Sequence, residues 1–191
     1  MAELSIARSE LVLGGQKSGK TARAEQLAAA WLAQSPRHEA VYIATARAGD
    51  AEMAQRIARH RADRAQRVPA MRTVEEAGDL GAAIGRHGNP QALLVVDCLT
   101  LWLTGLLFPR PEGNSPPARE EWTRAAIDSI ANCAGPIVLV SNEIGLGVIP
   151  LGPETRAFVD ALGLLNQQAA AACERVTFMA AGLPLFLKDS P

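Results

Sequence analysis

Short, unbroken apolar runs alternate along this chain with longer segments in which apolar residues recur every three to four positions. The runs at residues 11–13, 40–45, 92–97, 136–140 and 175–180 read as strands buried on both faces, as parallel strands are. A shorter run at 71–74 is a further candidate strand. The intervening segments 19–34, 50–66, 75–86, 99–108 and 119–133 read as helices, although Gly78, Gly81 and Gly85 weaken the third. A last helix carries Phe158, Ala161, Leu162, Leu165, Ala169 and Ala172 on one stripe. Residues 183–187 are expected to pair back onto the preceding strand through Gly182. Residues 109–117, rich in Pro with Gly113, Asn114 and Ser115, read as a surface loop and the best candidate for disorder. Regular alternation of strand and helix implies an α/β fold with a mostly parallel sheet flanked by helices. A length of 191 residues implies a single domain, 1–191. Ligands of such sheets bind at the carboxyl ends of the strands. Gly14, Thr45, Asp97 and the group Ser141, Asn142 and Glu143 should therefore line one edge.

The first strand runs into Gly14-Gly15-Gln16-Lys17-Ser18-Gly19-Lys20-Thr21, which fits the phosphate-loop pattern G-x-x-x-x-G-K-[ST] in full. Glycine lets the backbone curl close to a ligand, and the curl turns successive N–H groups inward as an anion nest. The helix that follows adds its free N–H groups and the positive end of its dipole. Lys20 is placed to reach the β- and γ-phosphates, and Thr21 to hold Mg²⁺. Asp97 ends the most apolar strand, where a phosphate-loop enzyme keeps its second metal-linked carboxylate. A helix N-cap is the alternative role for Asp97.

Arg56, His60, Arg64 and Arg67 fall within one narrow sector of the second helix. Three guanidiniums around an imidazole suit a polyphosphate, and neutral imidazole is a competent nucleophile toward phosphorus. Spacing alone leaves open a solvated basic face with an incidental histidine, the commoner use of a charge run. Glu143 reads equally as a base, a hydroxyl-binding group or a loop carboxylate. His38 and His87 lie in expected turns without evident partners, and Trp31, Trp102 and Trp122 read as core.

Composition narrows the classes further. A net charge of −1 gives no global attraction to nucleic acid or to an anionic membrane. No apolar stretch reaches spanning length, and the first ten residues lack a signal-peptide core. Cys98, Cys133 and Cys173 show neither metal spacing nor a disulfide framework, which suits a reducing cytoplasm and burial as small hydrophobes.

Taken in order, the stretches 13–21, 42–45 and 56–61 resemble the bifunctional adenosylcobinamide kinase / adenosylcobinamide-phosphate guanylyltransferase family. The stretch 140–150, Val-Ser-Asn-Glu-Ile-Gly-Leu-Gly-Val-Ile-Pro, is similar to that family's most distinctive segment, and 164–167 and 181–184 add to it. The resemblance implies a RecA-like phosphate-loop fold assembled as a homotrimer. It implies phosphorylation of adenosylcobinamide with ATP or GTP. GMP transfer from GTP to adenosylcobinamide phosphate follows, giving adenosylcobinamide-GDP and pyrophosphate through a guanylylated histidine. His60 matches that histidine, and Lys20 joins it as catalytic. Nucleotide contacts map onto Gly14, Gly15, Gln16, Lys17, Ser18, Gly19, Lys20, Thr21, Thr45, Ala46, Arg47, Ala62, Asp63, Arg64, Ala65, Glu75 and Asp97, with Mg²⁺ on Thr21 and Asp97. The chain departs from the family in carrying Lys17 for the usual arginine and Thr21 for the usual serine, and it lacks the usual tryptophan within residues 65–71. A kinase of one activity and a nucleotide-binding regulatory module are the rival classes.

Overall fold

The computed structural model describes residues 4–47, 49, 51–108 and 119–189. In chain order these form β1 (Ser9–Gly14), α1 (Lys20–Gln34), β2 (Glu39–Ala44), α2 (Ala51–Arg67), β3 (Met71–Glu75), α3 (Leu80–His87), β4 (Ala92–Asp97) and α4 (Leu99–Leu107). There follow α5 (Arg119–Ala131), β5 (Ile137–Val140), α6 (Pro153–Ala172), β6 (Arg175–Ala180) and β7 (Leu183–Asp189). The strands make one seven-stranded sheet in the order β3-β2-β4-β5-β1-β6-β7. All neighbours are parallel except β6 and β7, which pair antiparallel as the Gly182 turn predicts. Residue 50 and residues 109–118, which include the expected proline-rich loop, lie outside the described residues.

Alternate residues of each strand face opposite sides, so the sheet carries two apolar layers. Leu11, Leu13, Ile43, Leu94, Val96 and Leu139 pack beneath α3, α4, α5 and α6 through Leu80, Ile84, Trp102, Ile130 and Leu165. Val12, Tyr42, Leu93, Val95 and Val140 pack beneath α1 through Ala24, Leu27 and Ala28. Among the described residues, no helix is long and apolar enough to cross a membrane.

Three local expectations change. β1 begins at Ser9, earlier than its apolar run, because Glu10 is buried in an ionic cluster. Its Oε1 accepts from Arg23 Nε at 2.6 Å and from the Thr177 hydroxyl at 2.8 Å, and its Oε2 lies 3.6 Å from Arg175 Nη1. The helix expected over 75–86 starts only at Leu80. Asp79 caps it by accepting the Ala82 N–H at 2.8 Å, while the Glu76 N–H continues the strand ladder to the Ala44 carbonyl at 2.9 Å. His38 does have a partner. Its ring stacks on Trp31 with centroids 3.7 Å apart, and its Nδ1 lies 2.8 Å from the Trp31 carbonyl oxygen.

All three cysteines are buried, as expected. Burial pushes the thiols of Cys98 and Cys173 up to about 12 and raises that of Cys133. Thiolate is the reactive form. Titration of the native protein with Ellman's reagent at pH 8 is therefore expected to show essentially no fast-reacting thiol, with all three appearing in denaturant. A rapid native stoichiometry of one or more would contradict this.

Candidate active site

The phosphate loop leaves β1 at Gly14. There φ is +150°, and a Cβ would sit 2.5 Å from the Met179 carbonyl oxygen and 2.6 Å from Ser18 Oγ. No side chain fits such a space. Gly19 closes the loop at φ +103°, where a Cβ would lie 3.1 Å from Gly182 Cα. The Gly182 N–H in turn donates to the Ser18 carbonyl at 2.9 Å, so the β6–β7 turn supports the loop from below. No side chain caps α1, and its first turn holds no acidic residue. Among the described residues no side chain meets the free N–H groups there, which suits an anion. Ser18 Oγ is buried and has no hydrogen-bond partner among the described residues.

Lys20 Nζ folds back onto the loop, donating to the carbonyls of Gly14 at 3.0 Å and Gly15 at 2.7 Å. Burial lowers its pKa, and the nearby Cys98 and Asp97 side chains pull the other way. A bound triphosphate returns negative charge to the ammonium and raises that pKa again. Nucleotide binding is thus expected to take up protons once the pH exceeds the lowered value, and affinity should fall as pH climbs through it. Calorimetry in two alkaline buffers of different ionisation enthalpy measures the uptake. Identical heats in both would refute it.

Asp97 closes β4 level with Ala44 of β2 and Val140 of β5. Its Oδ2 accepts from the Thr21 hydroxyl at 2.9 Å and from the Tyr42 hydroxyl at 2.6 Å. Burial, then the Asp97 charge, drive the Tyr42 pKa far up, so the phenol stays a donor. Asp97 does not cap α4; Cys98 does, accepting the Leu101 N–H on its Sγ at 3.4 Å. The pair of hard oxygens on Thr21 and Asp97 beside the phosphate loop suits a small divalent cation whose other ligands are phosphate and water.

Helix α2 meets the rest of the protein through its arginines. Arg64 is its one buried residue. Its guanidinium carbon lies 3.7 Å from the centroid of the Tyr42 ring, and its Nη2 donates to the Thr73 hydroxyl at 3.1 Å. Arg67 donates to Glu25 of α1 at 2.9 Å, and Arg61 pairs with Glu75. Two of the three guanidiniums expected to flank a polyphosphate are thus held by the protein itself, while Arg56 is exposed. A continuous chain of contacts runs Arg64–Tyr42–Asp97–Thr21 from this helix to the phosphate loop.

Glu75 ends β3 level with Ala44, hence with Asp97, so Arg61 and its neighbour His60 stand at the carboxyl edge of the sheet. His60 is exposed, one helical turn before Arg64. It lies on the same edge as the phosphate loop, on the side of α1, but β2 and β1 are three strand positions apart, about 14 Å.

The remaining expected contacts are distributed as follows. Gly15, Gln16 and Lys17 are exposed on the loop, with Lys17 at φ 55°. Thr45 is buried, and its hydroxyl donates to the Cys98 carbonyl at 2.7 Å while accepting the Cys98 N–H at 2.8 Å. Ala46 is half-buried; Arg47 is exposed and donates to the Ala77 carbonyl at 3.2 Å. Ala62 and Ala65 are exposed and Asp63 is half-buried. Tyr42 was invisible as a site residue, since in sequence it is one more apolar strand position.

Residues 10–187 match the model of a family described as cobinamide kinase / cobinamide phosphate guanyltransferase. The chain belongs to that family. It is 48% identical over 184 residues to a bifunctional adenosylcobalamin biosynthesis protein, CobP, of Pseudomonas aeruginosa, covering 95% of this chain and 98% of that protein. It is 34% identical over 190 residues to the protein of the same description, CobU, from Escherichia coli, covering 93% and 98%. The CobU protein of Salmonella typhimurium is 34% identical over 191 residues with the same coverage. Membership makes the chain an enzyme of the cobalamin pathway with the family's kinase and guanylyltransferase activities. Its fold is also similar to that of the flagellar accessory protein FlaH from Methanocaldococcus jannaschii. The TM-score is 0.52 at 12% identity, over 97% of this chain and 80% of that one.

Proposed function

We propose that one nucleotide edge serves two successive reactions on a corrinoid. In the first, the loop amides and Lys20 hold the triphosphate of ATP or GTP. The hydroxyl of adenosylcobinamide bonds to the γ-phosphorus and the nucleoside diphosphate leaves. In the second, a His60 ring nitrogen bonds to the α-phosphorus of GTP and pyrophosphate leaves. The phosphate of adenosylcobinamide phosphate then takes GMP from the histidine, giving adenosylcobinamide-GDP. Thr21 and Asp97 would hold Mg²⁺, which would supply charge stabilisation to the phosphates in both reactions.

The observation that carries this reading is that His60, Asp97 and the phosphate loop share one sheet edge and are linked through Arg64 and Tyr42. The remaining gap requires α2 or the nucleotide to move between steps, and α2, with one buried residue, is lightly held. Assembly as a homotrimer is supported by β7, an edge strand on which Leu183, Leu185, Phe186 and Leu187 are each at least half exposed. Buried, unpaired thiols support a cytoplasmic setting.

Incubation with α-labelled GTP, then with adenosylcobinamide phosphate, tests the reading. Acid-labile label should appear on the protein and move to the corrinoid. Corrinoid phosphorylation with no protein-bound label would reduce the protein to a kinase, and neither reaction would leave a nucleotide-binding module.

A further inference from the structure

Strand β5 ends between the two halves of the nucleotide site. Val140 is level with Asp97 of β4 on one side and with Val12 of β1 on the other. Residues 141–143 therefore emerge about one strand spacing, ~5 Å, from both the carboxylate and the phosphate loop. The Glu143 N–H donates to the Gly14 carbonyl at 3.1 Å, the same oxygen that accepts Lys20 Nζ.

The turn before Glu143 is unusually well fixed. Thr100 Oγ1 of α4 accepts the Asn142 N–H at 2.9 Å. Asn166 of α6 donates to the Asn142 carbonyl at 3.1 Å and accepts from the Ser141 hydroxyl at 2.7 Å. Ser141, Asn166 and Thr100 are all buried. A network of this kind, with its members satisfied, rigidifies what it holds. What it holds is a half-buried carboxylate. Glu143 Oε1 accepts the Gly145 N–H at 3.0 Å, while Oε2 has no hydrogen-bond partner and the residue no ion-pair partner among the described residues.

Two of the other described carboxylates at this edge are already engaged. Asp97 Oδ2 already accepts two hydroxyls, and Glu75 is paired with Arg61. We propose that Glu143 is the general base of the kinase step. As the acceptor oxygen bonds to the γ-phosphorus, its proton passes to the free carboxylate oxygen of Glu143. The bond from that phosphorus to the bridging oxygen breaks, and the electron pair leaves with the nucleoside diphosphate. A positioned base contributes roughly 10²- to 10⁴-fold. The assignment rests on the two-reaction reading above.

Glu143→Gln keeps the side chain's size and the oxygen that accepts from Gly145. It is expected to lower kcat for adenosylcobinamide phosphorylation by about 100-fold or more, with KM for ATP within about twofold. Self-guanylylation from GTP, and GMP transfer to preformed adenosylcobinamide phosphate, should persist near the wild-type rates. Glu143→Asp should recover part of the kinase rate. A kinase rate within tenfold of wild type for Glu143→Gln overturns the assignment, as does a loss shared equally by both reactions. Wild-type protein unable to phosphorylate adenosylcobinamide would instead overturn the two-reaction reading, and the base with it.

Discussion

Replacing His60 with alanine is expected to abolish guanylyl transfer while leaving corrinoid phosphorylation within about twofold of wild type. The side chain is exposed and makes no hydrogen bond among the described residues, so its loss costs the fold little, within about 0.5 kcal/mol. Its neighbours Arg61, Arg64 and Arg67 keep the helix docked through Glu75, Tyr42 and Glu25. What disappears is the nitrogen proposed to take the nucleotide. No other histidine can substitute: His38 is stacked on Trp31 beyond the end of α1, and His87 ends α3. A drop of about 10⁴ in adenosylcobinamide-GDP formation, some 5.5 kcal/mol, is expected. Protein-bound label from α-labelled GTP should vanish with it. Persistence of that label in the variant would place the nucleophile elsewhere.

Lys20→Met should behave differently, lowering both reactions together by about 10³-fold, ~4 kcal/mol. The lysine reaches across the loop to the Gly14 and Gly15 carbonyls, so it is positioned to swing onto phosphate when nucleotide displaces it. Burial already disfavours its charge, and methionine has a similar length without one. Thermal stability of the free protein should therefore stay within about 1 kcal/mol of wild type. Parallel assays of the half-reactions separate the two variants: one loses a single chemistry, the other both. A Lys20→Met protein with full guanylylation would show that the second reaction does not use this loop.

The parallel order and the shared edge were legible because strands buried on both faces show continuous apolar runs, and because the phosphate loop demands a strand before it and a helix after it. Asp97 was legible for the same reason, as the first charge after the most apolar strand. Elsewhere the deciding contacts are between residues far apart in the chain. Glu10 looks like a strand terminator until Arg23, Thr177 and Arg175 surround it. Arg64 looks like one charge of a basic face until Tyr42, 22 positions earlier, offers it an aromatic ring. The start of α3 was misplaced because the Asp79 cap outweighs the helical pattern before it. The family's ordered motifs suggest the role proposed for His60, which helical spacing could not distinguish from a surface residue.

The hairpin that ends the described chain has a bearing on how the protein tolerates shortening. Because the turn at Gly182 braces the phosphate loop from more than 160 positions away, the carboxyl-terminal segment is a working part of the nucleotide grip. An amino-terminal fragment that carries the complete glycine-lysine signature but stops short of this hairpin lacks the backing against which the signature folds.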